Sequence, residues 1–349
     1  MKLNLSLYYF FFFASVAIYV IFMPNYLKTL GYTPKEIGII FASLPISRFI
    51  TPFFFQKTAI TTNIFKLSIF ISAIVPLLLF INSFYVILLV FIILGIVYSI
   101  NFPYIEAIAI NKLGSHYGKT RLWGSIGFIV VALGLSYVDI DIVWLYFVLN
   151  LITAYYAYKF INPEFEITKH FEKIDFLKEW QFWIALILLQ ISFGGFYNFF
   201  TIYNLQHGIP KEINGWLWSI GVFAEIIIFI YQYKFLTKNN SLFYLKLSIF
   251  ITAIRWYGLY LFAGNILVIA LLQTMHLFSF AIFHTAALLY VSSKYKNQTL
   301  AQQFYAGIGY GIAAFLGSII SGYLYSDKLF LYESLIVFVG FIVIFFKKS

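Results

Sequence analysis

The sequence predicts an all-α membrane protein of twelve transmembrane helices in two parallel six-helix repeats, and three observations support this. First, 62% of the 349 residues are hydrophobic and 10% are charged, with a mean hydropathy of +0.90. Second, apolar runs of 18 or more residues, each long enough to cross a bilayer as a helix, recur along nearly the whole chain. Third, the segment KLSIFISAI at 66–74 returns as KLSIFITAI at 246–254 with one Ser-to-Thr difference.

Composition excludes several other classes of protein. The alternating strands of a transmembrane barrel are absent, so a helix bundle is the structure that can satisfy its backbone in lipid. The chain has no Cys and no close-spaced His, Asp and Glu pattern, so we expect no metal and no cofactor. The net charge of +10 comes from scattered Lys and Arg, which favours membrane topology over a nucleic-acid partner. No phosphate-binding G-x4-G-K-[ST] loop is present, which argues against ATP-driven transport.

The apolar runs divide into twelve predicted spans, with boundaries good to a few residues. They cover 5–27, 33–55, 64–81, 84–111, 118–138, 142–160, 180–203, 211–234, 242–262, 266–292, 299–324 and 329–346. The second span begins with Thr33-Pro34-Lys35-Glu36, which combines a capping Thr, a Pro at the first helical position and a Glu three residues after the cap. This pattern predicts a capping box.

Orientation follows from the loops between spans. With both termini in the cytoplasm, 17 Lys and Arg residues fall on the inner side and 4 on the outer side. We therefore predict a multi-pass protein of the cytoplasmic (inner) membrane, in direct contact with the lipid bilayer and monomeric. The charged segment 161–179 reads as a cytoplasmic linker between an N-terminal bundle, 1–160, and a C-terminal bundle, 180–349.

The nine-residue repeat belongs to a longer register. TPKEIG at 33–38 reappears as IPKEIN at 209–214, and Gln56 matches Gln232 at the same offset of 176. GSIGF at 124–128 corresponds to AGIGY at 306–310. Markers that keep their order at offsets close to half the chain indicate that spans one to six and seven to twelve are copies of one unit.

Two ionisable residues are predicted near the bilayer midplane of the second half. Glu225 lies roughly 13 Å and Arg255 also roughly 13 Å from the nearest interface, at 1.5 Å per helical residue. An acid and a base at similar depth on consecutive antiparallel helices lower the free-energy cost of burying their charges when they pair. The pairing can be direct or through a substrate group. A permanent structural ion pair is the alternative.

Span ten carries QTMHLFSFAIFH, which contains Gln273, His276 and His284. Eight residues separate the histidines, so they point about 80° apart and can line one broad face. His titrates near neutral pH and suits a proton relay or a hydrogen-bonding ligand. Neutral histidines satisfied by a neighbouring helix are the alternative.

The first half offers further polar candidates. Glu106 precedes Lys112 by about 9 Å, and Arg121 opens span five, so gate or surface pairing competes with substrate binding for both. Arg48 is about 13 Å from Lys57 and can snorkel to the interface. Asn101 can line a cavity or simply join two helices. The aromatic content receives little functional weight here, because it resembles codon bias.

Several motifs resemble one branch of a known family. The resemblance is carried by LGYTPKEIG after a Pro24-containing first span, Arg48 in span two, RLWGSIGF at 121–128, QTMHLFSFAIFH at 273–284, and AQQFY with GSIISGYLY at 301–325. It is to the phenylpropionate permease-like branch of the major facilitator superfamily. That branch is related to lactose permease and nucleoside–proton symporters, and the resemblance covers essentially the whole chain.

The resemblance implies roles for individual residues. Glu225, Arg255 and His276 are similar in placement to the acid, base and histidine that serve proton coupling in lactose permease. Glu106 and Arg121 resemble its substrate-binding acid–base pair. The chain departs from that pattern at Ser279, where lactose permease has a second carboxylate one turn after its histidine. The usual acidic-basic motif between spans two and three is also replaced by QKTAITTN.

These observations predict a secondary transporter that moves a small organic solute by rocking of its two halves about a midplane cavity, coupled to protons. We predict Glu225 as the protonatable group, Arg255 as its counter-charge or substrate anchor, and His276 as the group that tunes or relays the proton. The predicted substrate-binding residues are Arg48, Asn101, Glu106, Arg121, Gln273 and His284. The alternatives are an uncoupled facilitator, a non-transporting membrane sensor, and a membrane enzyme, for which the sequence offers only the isolated His170 to Asp175 pattern.

Overall fold

The computed structural model describes residues 1–54, 61–161 and 175–347, and within these ranges the chain is helical with no β-strand. The described residues form twelve long helices at the predicted places, which confirms the all-α class. They are α1 Lys2–Thr29, α2 Pro34–Phe54, α3 Thr62–Phe80, α4 Phe84–Leu113, α5 Tyr117–Tyr137, α6 Ile142–Tyr158, α7 Leu177–Gln206, α8 Lys211–Lys234, α9 Ser241–Leu261, α10 Ile266–Lys294, α11 Leu300–Leu324 and α12 Leu329–Phe345.

Most of these helices are long enough and apolar enough to cross a membrane. Within the described ranges, nine have at least 18 residues and an apolar core window, while α6 and α12 are apolar helices of 17 residues each. The remaining helix, α2, has 21 described residues. At 1.5 Å per residue, 17 to 30 residues span about 25 to 45 Å, which matches the thickness of a bilayer.

Local capping fixes where several helices begin. The predicted capping box forms, because the Thr33 amide donates to Glu36 Oε2 at 2.8 Å and the Glu36 amide lies 3.4 Å from Thr33 Oγ1. The Asp141 carboxylate accepts from two amides of the first turn of α6, at 2.9 and 3.1 Å. Asn265 and Asn297 cap α10 and the helix that leads into α11 through their side-chain oxygens. These caps satisfy amides that lack an intrahelical partner.

The chain divides into two compact units, Met1–His170 and Phe171–Ser349. The division falls inside the predicted linker, most of which lies outside the described residues, as does Gln56. Its last residues, Leu177–Glu179, form a turn that opens α7, so this helix begins three residues before the predicted start.

The two units use the same helix pairs. In unit 1, α1 packs on α5 and α6, α2 on α4, and α3 on α4 and α6. In unit 2, the corresponding helices pair in the same way, with α7 on α11 and α12, α8 on α10, and α9 on α10 and α12. Every one of these pairs in unit 2 has its counterpart six helices earlier, so the sequence repeat is a repeat of architecture.

The nine-residue repeat shows the equivalence at single positions. When the residue just before each copy is included, the buried residues of the first copy are Phe65, Ser68, Ile69, Ser72 and Ala73. In the second copy they are Leu245, Ser248, Ile249, Thr252 and Ala253, each 180 positions later. The same face of α3 and α9 is therefore turned inward in both units.

The copies part directly after the repeat. In α3, regular α-helix ends at Ile74 and Val75–Phe80 continue as a 3₁₀ helix, because Pro76 cannot donate to the helical ladder. In α9, the α-helix continues to Leu261 and carries Arg255 inward. One helix changes to 3₁₀ geometry at the point where the other carries a buried charge.

Candidate functional site

A polar network occupies the interior of unit 2 and is centred on Arg255 of α9. The guanidinium is fully buried. Its Nη2 donates to Gln273 Oε1 at 2.7 Å, and its Nη1 lies 3.0 Å from Nδ1 of His276. Both partners sit on α10, three residues apart, so one turn of that helix supplies both contacts. The structure thus brings together Gln273, His276 and Arg255.

His276 lies between the predicted acid and the predicted base. Its Nε2 is 3.7 Å from Oε2 of Glu225 on α8, while its Nδ1 faces Arg255. A guanidinium can only donate, so Nδ1 must accept and the imidazole carries its hydrogen on Nε2, toward the carboxylate. The imidazole of His276, on α10, therefore lies between Glu225 on α8 and Arg255 on α9, and it links their charges.

Aromatic rings enclose the charged end of Arg255. The guanidinium carbon lies 4.5 Å from the ring centre of Phe196 and 4.6 Å from that of Trp256, within the range of cation–π attraction. Its Nε has no hydrogen-bond partner, and no carboxylate among the described residues forms an ion pair with it. The network therefore carries a buried positive charge that is not directly paired with a carboxylate of the described residues.

A π-helical turn aligns the two histidines of α10. Residues Leu277–Ile282 form this wider turn. It stacks His276 on Phe280 at 5.6 Å and 9° between ring planes, and Phe280 on His284 at 6.0 Å and 10°. The sequence predicts histidines about 80° apart on a regular helix. The π turn instead places them in one column with a phenylalanine between them.

His284 ends this column in a cluster of hydroxyl groups. Its Nδ1 lies 3.1 Å from the hydroxyl of Tyr305 and 3.0 Å from that of Tyr310, and the two hydroxyls are 3.2 Å apart. Both tyrosines belong to α11. The cluster offers a hydrogen-bonding surface that can donate or accept, which suits the polar group of an organic solute.

The network has two layers that differ in exposure. The inner layer comprises Arg255, Gln273 and His276, all buried. The outer layer is partly exposed and comprises Tyr197, Glu225, Phe280, His284 and Tyr310. The side chain of Glu225 is 17% exposed against 9% for His276, so the carboxylate is the charged group of the network that a proton in water reaches first.

Unit 1 holds a second acid–base pair, on α4 and α5. Arg121 Nε lies 3.2 Å from Glu106 Oε1, and the hydroxyl of Tyr117 donates to the other oxygen of the same carboxylate. The guanidinium also lies over the ring of Phe13, 4.2 Å from its centre, and near Tyr9. Both charged side chains are partly exposed, so this pair meets solvent while one face of the arginine is covered by α1.

The other two predicted residues of unit 1 have different surroundings. Arg48 is exposed on α2, and Tyr19 and Tyr98 are near enough to interact with its charge. It forms no ion pair or hydrogen bond with the residues that the structure describes. Asn101 is buried and accepts a hydrogen bond from Ser68, which joins α4 to α3. The contact of Asn101 is the interhelical kind that is common between membrane helices.

The sequence prediction missed several polar residues of these sites. The sequence analysis gave aromatic residues little functional weight, and it therefore did not single out Tyr117, Tyr305 and Tyr310. Glu333 of α12, a buried carboxyl group outside these sites, was also not predicted. The signal was an ionisable side chain in an otherwise apolar span. Among the described residues, no cluster of three His, Asp or Glu side chains could hold a metal ion.

Two six-helix units that repeat the same helix pairs, with ionisable residues inside them, are the architecture of a membrane transporter. Sequence comparison agrees. The chain belongs to the MFS_1 like family, whose model matches residues 2–333. It is therefore a multi-pass transporter of small solutes and not an enzyme, and the resemblance to the major facilitator superfamily is confirmed.

Individual comparisons agree over at least nine-tenths of the chain. The chain is 27% identical to the probable 3-phenylpropionic acid transporter of Escherichia coli (strain K12), over 92% of this chain and 90% of the relative. Its fold matches the crystal structure of the nucleoside transporter NupG with a TM-score of 0.79, at 17% identity and with 99% of each chain covered. The human organic anion transporter MFSD10 (TETRAN) matches with a TM-score of 0.69, at 12% identity and with 98% of each chain covered.

Proposed function

We propose that the protein carries a small organic anion across the cytoplasmic membrane by alternating access, together with protons. The observation that carries this proposal is the buried Arg255, which has two neutral partners, an Nε with no acceptor and no direct ion pair with a carboxylate of the described residues. A buried charge without a counter-ion is costly, so an anion that enters its field is stabilised. The spare charge therefore favours an anionic solute.

The surroundings of Arg255 favour an anion with an aromatic part. Phe196 and Trp256 flank the guanidinium, and the partly exposed ring of Phe280 continues the aromatic surface toward His284. A carboxylate near the network and a ring against these side chains would satisfy both features. The name of the E. coli relative, a probable 3-phenylpropionic acid transporter, describes a molecule of this kind.

The proton would bind at Glu225. In its ionised form the carboxylate faces the N–H of His276, behind which lies the positive charge of Arg255. Protonation removes the negative charge on the far side of His276, and this strengthens the attraction of Arg255 for a solute anion. Proton and solute then raise each other's affinity, and this reciprocity is the requirement for symport.

The charge distribution of the loops supports the orientation. With both termini in the cytoplasm, 17 Lys and Arg residues fall inside and 4 outside. In this orientation the inward proton gradient of a bacterial cytoplasmic membrane would drive uptake of the anion.

The test is uptake by the purified protein in proteoliposomes with and without an imposed inward proton gradient. The probes are labelled 3-phenylpropionate, a nucleoside and a neutral sugar. We expect gradient-driven accumulation of 3-phenylpropionate in the wild type and in the control variant Glu212→Gln, which changes a carboxylate at the start of the same helix. Glu225→Gln should exchange the anion across the membrane without accumulating it.

Each result has a defined consequence. Accumulation by Glu225→Gln at the wild-type level would contradict the assignment of the proton site. Uptake of the nucleoside or sugar but not the anion would contradict the substrate class.

An uncoupled facilitator is a second candidate, which Ser279 favours. Ser279 is buried and its hydroxyl donates to the Met275 carbonyl at 3.2 Å, so no carboxylate follows His276 on the next turn of α10. A facilitator would equilibrate 3-phenylpropionate in these vesicles but would not concentrate it when the gradient is applied.

A further inference from the structure

Glu333 of α12 is a buried carboxyl group that the network around Arg255 does not include. It is 1% exposed. Its Oε1 accepts a hydrogen bond of 2.9 Å from the amide of Gly195, in the middle of α7, and its Oε2 is buried with no hydrogen-bond partner. The described part of the chain places no Lys, Arg or His in an ion pair with it.

The helices packed around Glu333 offer no compensating charge. Neither Trp180–Gln206 of α7 nor Ala314–Leu324 of α11 contains a Lys, Arg, His, Asp or Glu. On α9, Arg255 is engaged by Gln273 and His276, and Lys246 donates to the backbone at the end of α12. The other titratable side chains of Trp180–Gln206, Ala314–Leu324 and α9 are tyrosines, namely Tyr197, Tyr203, Tyr244, Tyr257, Tyr260 and Tyr323. An ionised Glu333 would therefore be an isolated buried charge.

Glycines make the space that the carboxyl group fills. A Cβ atom at Gly195 would lie 2.7 Å from Glu333 Oε1, and a Cβ atom at Gly194 would lie 2.1 Å from the carbonyl oxygen of Gly317. Small residues at both positions let α7, α11 and α12 approach closely and expose the backbone amide that the carboxyl group binds. Glu333 thus sits in a fitted site and does not reach toward the surface.

Two hydrogen bonds connect the surroundings of Glu333 to the residues beside Arg255. Ser334, the next residue, donates to the carbonyl of Ala253 at 2.8 Å, two residues before Arg255. Trp256, which flanks Arg255, donates from its indole nitrogen to Ser192 at 3.1 Å, one turn of α7 before Gly195. A change in the packing of α7 against α12 would therefore displace Ala253 and Trp256, which lie on either side of Arg255 in α9.

We propose that Glu333 is a second proton-binding site of unit 2, which holds a proton on Oε2 in this conformation and releases it when the contact between α7 and α12 opens to water. On release, the O–H bond breaks, water takes the proton and the carboxylate remains. This inference deepens the proposed function and rests on it, because Glu333 would supply the second carboxyl group that α10 lacks at Ser279.

The first test is infrared spectroscopy of the full-length protein in lipid, titrated from about pH 5 to about pH 9. We expect the wild type to keep the carbonyl absorption of a protonated carboxylic acid at neutral pH, where carboxyl groups in water are ionised. Glu333→Gln should lose this absorption. Glu225→Gln identifies any contribution of that carboxyl group, and Glu36→Gln, at an exposed capping box, should leave the absorption unchanged.

A wild-type spectrum without this absorption at neutral pH would overturn the proposal without any variant. An unchanged spectrum of Glu333→Gln would also overturn it. If Glu333→Gln does not fold, Glu333→Asp keeps the acid on a shorter side chain and should shift the absorption. An unshifted band in a folded Glu333→Asp protein would contradict the assignment.

Transport measurements separate this inference from the proposed function. In proteoliposomes we expect Glu333→Gln to exchange 3-phenylpropionate at a rate that depends much less on pH than that of the wild type. An unchanged pH dependence would refute proton release from Glu333. A wild type that transports no anion would refute the proposed function instead, and the infrared absorption would still decide whether Glu333 binds a proton.

Discussion

The substitution Gly194→Ala, at the crossing of α7 and α11, is predicted to destabilise the protein. A Cβ atom at this position would lie 2.1 Å from the carbonyl oxygen and 2.3 Å from the carbonyl carbon of Gly317. An ordinary contact requires 3.4 Å or more. Because both clashing atoms belong to the backbone, no rotamer change relieves them, and the two helices must separate by about 1.3 Å at this point.

The expected cost follows from this separation. Overpacking of a well-packed interior costs about 1–3 kcal/mol. For a unit of this size, each kcal/mol corresponds to about 2–4 °C in Tm, so Gly194→Ala should lower Tm by about 2–12 °C. The control is Gly134→Ala on α5, where the added Cβ meets no atom within 4 Å. There the gain in helix propensity should leave Tm unchanged or raise it slightly.

The assay is thermal unfolding of both variants and the wild type in the same detergent and at the same scan rate. A Gly194→Ala protein with the Tm of the control would refute the close crossing of α7 and α11. It would also remove the geometric basis of the site around Glu333, because the same crossing leaves the space for that carboxyl group.

Two further substitutions test the charged groups of unit 2. Gln273→Glu places a carboxylate where the amide oxygen now lies 2.7 Å from Arg255, so the new negative charge competes with the solute anion. Binding of 3-phenylpropionate should weaken about tenfold or more, which corresponds to a loss of about 1.4 kcal/mol in binding free energy. The melting temperature of the variant should equal or exceed that of the wild type. Equal affinity in a binding assay would show that the spare charge of Arg255 does not serve the solute. Lys347→Met removes the ammonium group 2.9 Å from the buried carboxylate of Glu179, and unfolding measurements should show a loss of about 3–5 kcal/mol. A loss below about 1 kcal/mol would indicate a solvated surface pair.

Much of the fold is readable from the sequence because its causes are local. A run of apolar residues long enough to cross lipid has to be a helix, since its backbone groups find no partners in the bilayer except within the segment itself. The capping box at Thr33 is equally local, because both of its hydrogen bonds lie within four residues. The repeat of 66–74 at 246–254 extends this to architecture, as the same four positions of the repeat are buried in both copies.

The candidate site is only partly readable in this way. The rule that a charge within a span is costly singles out Glu225, Arg255 and His276, and the structure brings these three together. The same rule applies to Glu333, but the distance along the chain suggests a residue near the interface. Rotation of α12 about its axis turns the side chain toward α7, and this rotation is a property of packing.

The sequence by itself determined the twelve helices, their repeat and which residues are too polar for lipid, because bilayer thickness and desolvation cost act on each segment separately. Only the tertiary structure decided the partners. It placed His276 between Glu225 and Arg255, aligned His276 with His284 through a π-helical turn, and left Glu333 against the amide of Gly195. The rotation and register of a helix are set by the neighbours it packs against, and hydropathy does not specify them.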